Sequence, residues 1–225
     1  MRQYIENIFH ILLTRLQKSR TERYVFRFVE FTYFLAAVDK PELGPAFVKV
    51  ALDQQGQGLF GQLLQMFILP KTPQIKGKEQ IIGTIVGATR FLTELTDLQT
   101  GQYTRFWYFP FPPASPSAIA QLCRRDMLVA MVHLQQAENY PAAPDDEIED
   151  IDIEESGFQA AYARLAVAVP PAVEIVPFTS VNDALKNFAG KLAADTAAGG
   201  TLLNRIRREV PQEDIEVLRS WGVAV

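Results

Sequence analysis

Eight acidic side chains fall within eleven residues near the middle of the chain and form its densest group of chemically active residues. They are Asp145, Asp146, Glu147, Glu149, Asp150, Asp152, Glu154 and Glu155, with Ile148, Ile151 and Ile153 among them. Clustered carboxylates can hold a cation or contact a basic protein surface. A calcium loop of the EF-hand type is excluded, because its spaced oxygen ligands and its central glycine are missing.

The interleaved isoleucines favour a protein partner for this acidic segment (residues 145–155). A charge run is usually a solvated loop, but a solvated loop has no need of apolar side chains. Pro141 and Pro144 before the segment, and a candidate helix cap at Ser156 after it, confine it between two helices. We therefore expect residues 139–156 to form an acidic loop that docks on a basic surface, where charge speeds encounter and apolar contacts slow release.

The charge balance argues against a nucleic acid partner. The net charge of the 225 residues is −4, and the acidic segment contributes −8, so the remaining residues carry +4. Backbone phosphates require a concentrated basic surface, which this distribution does not indicate. The cationic groups Arg124–Arg125 and Arg205, Arg207 and Arg208 are typical of solvated helix faces.

One short glycine motif could bind a nucleotide. The stretch GQGLFG (56–61) matches G-x-G-x-x-G, but a dinucleotide site needs a preceding strand and a second strand that ends in an acidic residue. Glu79 lies at a suitable distance, yet it begins a helical segment. We therefore interpret the glycines as a break between two helices.

Other catalytic groups are few. His10 and His133 lie in helical segments, where core or boundary positions are more common than a catalytic base or a metal ligand. Cys123, the single cysteine, excludes an internal disulfide and a cysteine-based metal site, and we expect a buried, inert thiol. No nucleophile elbow, P-loop lysine or zinc spacing occurs. The sequence thus predicts no enzyme, no metal and no cofactor.

Helical periodicity recurs along the chain, while sustained strand-like alternation is nearly absent, so the sequence predicts an all-α protein. Candidate signals are a cap at Thr21, a stop at Pro70, a capping box from Ser180 to Asp183, a stop at Gly199–Gly200 and a start at Pro211. The expected helices are an opening helix and segments near 21–38, 46–54, 58–69, 78–95, 103–107, 117–138, 157–168 and 181–195, followed by a short final helix.

Helix pairs that recur every 40–60 residues leave two architectures open, a compact bundle and an α-solenoid. No apolar run has transmembrane length, so we expect no membrane insertion. The first residues already have the pattern of a helix with one buried face, which indicates a section of a larger chain.

Four segments in order resemble the C-terminal part of the CAS-type exportins, the importin-α re-exporters of the importin-β superfamily. They are YVFRFVEFTYFLA (24–36), GLFGQLLQMFILP (58–70), GQYTRFW (101–107) and EIEDIDIEESGFQAAYARLA (147–166). The resemblance covers nearly the whole chain. It implies a superhelix of HEAT-repeat helix pairs, of which residues 1–225 would be roughly the last quarter.

The resemblance also implies a function and partners. Such a receptor binds Ran-GTP and importin-α, carries importin-α from nucleus to cytoplasm, and shuttles between the two compartments without catalysing a reaction. The acidic residues from Asp145 to Glu155 would lie in a loop of a late HEAT repeat and contact Ran, or else importin-α. The alternative is a generic HEAT-repeat scaffold for protein–protein interaction without Ran dependence.

Two features limit what this chain would do alone. About seventeen residues, Tyr108 to Arg124, interrupt the family pattern as an atypical proline-rich insert, which is either a lineage-specific loop or a translated intervening sequence. Its two P-x-x-P patterns could form a polyproline ligand, but such short proline patterns are common, so we expect a loop between helices. A section cut from a solenoid exposes apolar surface at its N-terminal face, and we expect it to self-associate there.

Overall fold

The computed structural model describes residues 2–18, 20–40, 42–95, 98, 116–138 and 180–223. Within these ranges every regular element is helical and none is a strand, so the predicted all-α class is confirmed. The elements are α1 (Arg2–Lys18), α2 (Glu22–Ala37), α3 (Pro45–Gln55), α4 (Leu59–Leu63), a π-helical turn (Leu64–Ile68), α5 (Leu69–Lys71), a 3-10 turn (Thr72–Gln74), α6 (Lys78–Glu94), α7 (Pro116–Glu138), α8 (Val181–Ala197), α9 (Leu202–Glu209) and α10 (Gln212–Ser220).

Helix α2 buries the face that its periodicity predicts. The expected apolar side is buried throughout, at Val25, Phe28, Val29, Thr32 and Leu35. Thr21 precedes the helix with extended backbone, and its carbonyl accepts a hydrogen bond from the Val25 N–H at 3.0 Å. Its side chain makes no capping hydrogen bond. The predicted start of the helix is therefore confirmed, whereas the side-chain cap is not formed.

Pro70 does not end a helix, so that prediction is wrong. The helical backbone passes through Pro70 in α5 and continues into the 3-10 turn. The turn before it is π-helical, and the Leu69 N–H donates to the Leu64 carbonyl, five residues back. In a regular α-helix a proline ring collides with the carbonyl four residues earlier. The wider turn displaces that carbonyl, and this is how the chain accommodates the proline.

The backbones of α2 and α6 approach each other closely at Gly87. A Cβ placed on Gly87 of α6 would lie 2.5 Å from the carbonyl oxygen of Tyr33 on α2, so only glycine fits there. The rings of Tyr33, Phe60 and Phe91 are fully buried around this contact, and Phe91 lies 5.9 Å from Tyr33 and 5.5 Å from Phe60 between ring centroids. This aromatic cluster joins the first helices to α6.

Helices α8 and α10 begin at the residues that the sequence indicates, whereas α9 has no counterpart among the expected segments. The Ser180 Oγ accepts a hydrogen bond from the Asp183 N–H at 3.2 Å, which confirms Ser180 as the N-cap of α8. The second contact is from the Ser180 hydroxyl to Asp183 Oδ2 at 3.0 Å, whereas a capping box requires the Ser180 N–H to donate to the Asp183 side chain. Pro211 occupies the N-cap of α10, also as predicted.

Glycines in the left-handed region end both α8 and α10. Gly199 has a φ of 83°, and the Gly200 N–H donates to the Asp195 carbonyl at 2.7 Å, which closes α8 in a Schellman motif. The predicted stop at Gly199–Gly200 is confirmed, although α8 runs to Ala197 and not to residue 195. Gly222 ends α10 in the same way, with a φ of 86°.

Helices that are neighbours in the sequence also pack as neighbours, as α1 does with α2 and α3. This arrangement fits an α-solenoid, and the superhelical path itself stays an expectation. Helix α7 begins one residue before the predicted 117–138 segment. The predicted helices at 103–107 and 157–168 and most of the proline-rich insert, residues 108–115, lie outside the described residues. None of the described helices has the length and apolar character that a membrane span requires.

Candidate functional site

The eight residues of the predicted docking loop, from Asp145 to Glu155, lie outside the residues that the structure describes, so their placement stays a prediction. The nearest described helices are α7, which ends at Glu138, and α8, which Ser180 caps. The helix expected at 157–168 falls between the segment and α8 and lies outside the described residues. The contacts of α7 and α8 show how the described part of the chain is held together.

Arg124 fixes the first half of α7. Its Nε donates to Glu209 Oε2 at 2.8 Å, its Nη2 donates to the other oxygen of the same carboxylate, and its Nη1 donates to the Leu98 carbonyl. The two side chains are only 3% and 8% exposed. A two-point guanidinium–carboxylate pair restricts both groups in angle as well as in distance. Arg124 thus ties α7 to the end of α9 and to the chain that follows α6.

The expectation of a solvated face at Arg124–Arg125 is therefore wrong for Arg124 and correct for Arg125, which is exposed. Arg124 lies three, four and seven residues before the buried Met127, Leu128 and Met131, so helical spacing indicates its buried face. The sequence gives no signal for its partner, because Glu209 is 85 residues away. Cys123 and Arg124, the last two residues of the predicted insert, lie in the core on α7. Whether the remainder is an insertion stays untested.

A second polar contact fixes the other half of α7. The indole Nε1–H of Trp221 donates to Gln135 Oε1, and Trp221 is buried just after α10. Between Arg124 and Gln135, α7 buries Met127, Met131 and Leu134 in the core. A buried indole whose N–H has a partner combines a large apolar contact with a directional bond. Helix α7 is thus held to α9 and α10 at two separate points.

Glu94 joins α6 to α8, the first described helix after the acidic segment. Arg90 donates to both Glu94 oxygens, at 2.8 and 3.1 Å, and Lys191 of α8 donates to one of them at 3.3 Å. Partial burial acts to raise the pKa of Glu94, but the hydrogen bonds and charges of Arg90 and Lys191 outweigh it and hold that pKa below its ordinary value. The carboxylate is therefore ionised and links the two helices at neutral pH.

A recess of about 510 Å³ lies between residues 65–73 and α7. Of the described surfaces, it is the one whose side chains most resemble a set of catalytic groups. Cys123, Asp126 and His133 line it. The thiol is buried and contacts the Gln65 amide, whose Nε2 lies 3.8 Å from Sγ, and burial raises the pKa of Cys123 to about 11. A thiol that stays protonated is a poor nucleophile. The predicted burial of the cysteine is confirmed, and its inertness stays a prediction.

The two histidines do not occupy the core. Both His10 and His133 are exposed and each lines a recess, so of the expected core or boundary positions the core position is excluded for both. The His10 Nδ1 lies 3.0 Å from the Gln55 Oε1, and this contact links α1 to α3. A helical segment contains an exposed face as well as a buried one, and the residues adjacent to each histidine did not distinguish the two.

The glycine motif at 56–61 is a turn between helices. The residues before it form α3 and not a strand, Gly58 has a φ of 70°, and the Phe60 N–H donates to Asp53 Oδ1 at 3.0 Å. The interpretation as a helix break is confirmed, because the strand that a dinucleotide site requires is replaced by a helix. Within the described ranges no three metal-binding side chains come together.

Comparison with protein families identifies the chain. The family described as "CAS/CSE protein, C-terminus" matches residues 1–221. The chain belongs to this family. The resemblance inferred from four sequence segments is therefore confirmed over almost the entire length, and the contacts of Arg124, Gln135 and Glu94 describe how the helices of a CAS/CSE C-terminal region are joined.

Curated relatives support the same assignment. The chain is 29% identical over 227 residues to the importin-alpha re-exporter of Schizosaccharomyces pombe, an alignment that covers 99% of this chain and 22% of the relative. It is 24% identical to exportin-2 of Danio rerio, over 97% of this chain and 20% of the relative. Exportin-2 of Homo sapiens is 28% identical over 74% of this chain and 15% of its own length. The chain thus spans about a fifth of the length of the first two, and no solved structure matches it.

Proposed function

We propose that this chain is the C-terminal section of a nuclear export receptor that binds importin-α together with Ran-GTP and carries importin-α from the nucleus to the cytoplasm. The observation that carries the proposal is the family match over residues 1–221. A relative named importin-alpha re-exporter also aligns with 99% of the chain. The receptor shuttles between the two compartments and performs no catalysis itself.

Within this proposal the acidic segment, residues 145–155, docks on a basic surface of Ran or, as the second choice, of importin-α. The charge of −8 and the three interleaved isoleucines support a contact with a basic protein. The nearest described helices on each side, α7 and α8, are anchored in the core. Arg124 and Gln135 attach α7 to α9 and α10, and Glu94 attaches α8 to α6. The helix expected at 157–168 separates the segment from α8.

We also infer that the chain self-associates when it is separated from the rest of a receptor. Tyr4, Ile8 and Ile11 on the outer side of α1 are 75%, 41% and 66% exposed, and their spacing places them on one helical face. Apolar stripes of this kind are usually covered by another helix. When no helix pair precedes α1, a second copy of the chain can pack against this apolar stripe.

The test of the proposed function is reconstitution of the full-length receptor that contains this chain with importin-α and Ran. We expect a three-component complex with Ran-GTP on size exclusion, and no stable complex with Ran-GDP. Equal binding of importin-α with either nucleotide, or with no Ran present, would support the generic scaffold and contradict the proposal.

A further inference from the structure

Four cationic side chains lie at the corner between α1 and α2. This corner, defined as residues 15–23, contains the exposed side chains Arg15, Lys18, Arg20 and Arg23. Its one carboxylate, Glu22, pairs with Lys71 at 2.6 Å and does not neutralise any of the four. Within the described ranges, none of the four forms an ion pair with a carboxylate.

Two of these cations are held in place by aromatic rings. The Arg15 guanidinium lies 5.1 Å from the centroid of the Tyr24 ring, and the Arg20 guanidinium lies 5.7 Å from that of Phe67. Stacking on a ring uses the face of the guanidinium and leaves its N–H edge free. The corner therefore presents hydrogen-bond donors that are oriented without having an anionic partner.

Helix stability does not explain all four positions. Arg15 and Lys18 occupy the last turn of α1, where a positive charge is favourable. Arg23 lies in the first turn of α2, where the helix dipole makes a positive charge unfavourable. Arg20 lies between the two helices. The positive charge of Arg23 therefore lowers the stability of α2. Binding of a negatively charged ligand at the corner would account for this charge.

An apolar recess adjoins the corner. It has a volume of about 340 Å³ and lies between α1 and the α3–α4 region, and Arg20 forms part of its wall. Leu59, Leu63 and Met66 line it, and Met66 is 50% exposed. Gln17 and Gln62 also line it and offer amide donors and acceptors. A cationic corner and an apolar recess thus form one continuous surface.

We propose that this surface docks an acidic polypeptide segment of another protein, one that carries apolar side chains between its carboxylates. The carboxylates contact the free edges of Arg20 and its neighbours, and an apolar side chain enters the recess beside Met66. Nucleic acid is the poorer fit, because the apolar wall formed by Leu59, Leu63 and Met66 matches the apolar side chains of a polypeptide and offers nothing to a phosphate backbone. The proposal involves none of the residues assigned to the docking loop, and it is independent of the proposed export function.

The probe is a fluorescent peptide with the sequence of residues 145–158, DDEIEDIDIEESGF, which has the required alternation of carboxylates and isoleucines. The receptor is the 225-residue chain with its own eight acids of 145–155 changed to Asn or Gln, so that the peptide is the only acidic segment present. Binding is measured by fluorescence anisotropy at low and physiological ionic strength. We expect saturable binding that weakens as salt rises.

Two variants and a matched control locate the site. We expect Lys18→Gln with Arg20→Gln to weaken binding about tenfold at low salt, because two screened contacts are lost. Met66→Gln should weaken it several-fold at both salts, because an apolar contact is not screened. The control, Lys186→Gln with Arg208→Gln, removes two exposed cations from α8 and α9 and should leave binding unchanged.

Any of four results would overturn the proposal. The first is no binding at low salt. The second is an equal loss in the control, which would mean attraction by overall charge alone. The third is an unchanged affinity for a peptide whose isoleucines are serine, because then the recess would take no part. The fourth is displacement of the peptide by a single-stranded oligonucleotide at equal concentration, because then any polyanion would serve.

Discussion

Arg124 on α7 and Glu209 at the end of α9 form a buried two-point ion pair, with Nε and Oε2 2.8 Å apart. This pair connects the helix that precedes the acidic segment to the C-terminal helices. It also fixes the chain after α6, since the same guanidinium donates to the Leu98 carbonyl. The pair therefore joins three parts of the core at one point.

Removing one member of this pair should destabilise the protein much more than removing both. Arg124→Met leaves the Glu209 carboxylate buried without a cation, and Glu209→Met leaves the guanidinium without an anion, so each should lower the free energy of unfolding by about 3–5 kcal/mol. The double variant should be less destabilised than either single one. Urea unfolding followed by circular dichroism measures all three, and additive losses would contradict the pairing.

Gly87 should tolerate no side chain, whereas Gly83, one turn earlier on the same helix, should accept one. Gly87→Ala places a Cβ 2.5 Å from the Tyr33 carbonyl oxygen, and the separation of α2 and α6 that follows should cost about 1–3 kcal/mol of stability. A Cβ on Gly83 meets nothing within 4 Å, so Gly83→Ala should be neutral or stabilising by up to about 1 kcal/mol. Thermal unfolding of the two variants gives the comparison, and equal effects would show that the backbones are not in contact.

The buried hydroxyl pair of Tyr33 and Thr72 should respond unequally to its two deletions. The hydroxyls lie 2.9 Å apart, and Thr72 also donates to the Ile68 carbonyl at 2.7 Å, so the tyrosine is the donor between them. Thr72→Val leaves the tyrosine hydroxyl buried without a partner and should cost about 1–3 kcal/mol. Tyr33→Phe leaves Thr72 bonded to Ile68 and should cost about 1 kcal/mol. Denaturant unfolding tests the order, and a larger loss for Tyr33→Phe would reverse the assigned donor.

Cys123 should react slowly with iodoacetamide while the protein is folded. Burial raises its pKa to about 11 from an ordinary value of 9, so the thiolate fraction near pH 8 is about a hundredfold lower in the folded protein than in the unfolded one. The raised pKa also means that burial of the neutral thiol contributes stability below about pH 9, and that this contribution is lost as the pH rises through 11. Mass spectrometry of alkylation with and without urea checks the rates, since this is the single cysteine. Rapid alkylation of the folded protein at pH 8 would contradict the burial.

The helices could be predicted from the sequence because their signals are local. Three examples are the buried face of α2, the N-cap at Ser180 and the glycine stop at Gly199. Each of these signals depends on residues that lie close together in the sequence. The turn at Gly58 was also predictable, because the motif lacked the strands that a nucleotide site needs.

The contacts that join the helices could not be predicted, because they depend on residues far apart in the chain. Helical spacing places Arg124 on the face of Met127 and Met131, but nothing near Arg124 in the sequence indicates that its partner is Glu209. Pro70 is a reliable helix stop in isolation, but the π-helical turn before it changes the local geometry. Composition and family resemblance indicate the acidic segment as the candidate site. Neither of them determines which residues of a partner the segment contacts.

The most direct test of the account concerns the acidic segment in the full-length receptor. The eight acids from Asp145 to Glu155 are changed to Asn or Gln, and the affinity for Ran-GTP is measured with importin-α present, at low and at moderate salt. The account predicts a clear loss of affinity at low salt that shrinks as salt rises, because the contact depends on screened charge. Unchanged affinity at both salts would contradict it and leave the segment as a solvated loop.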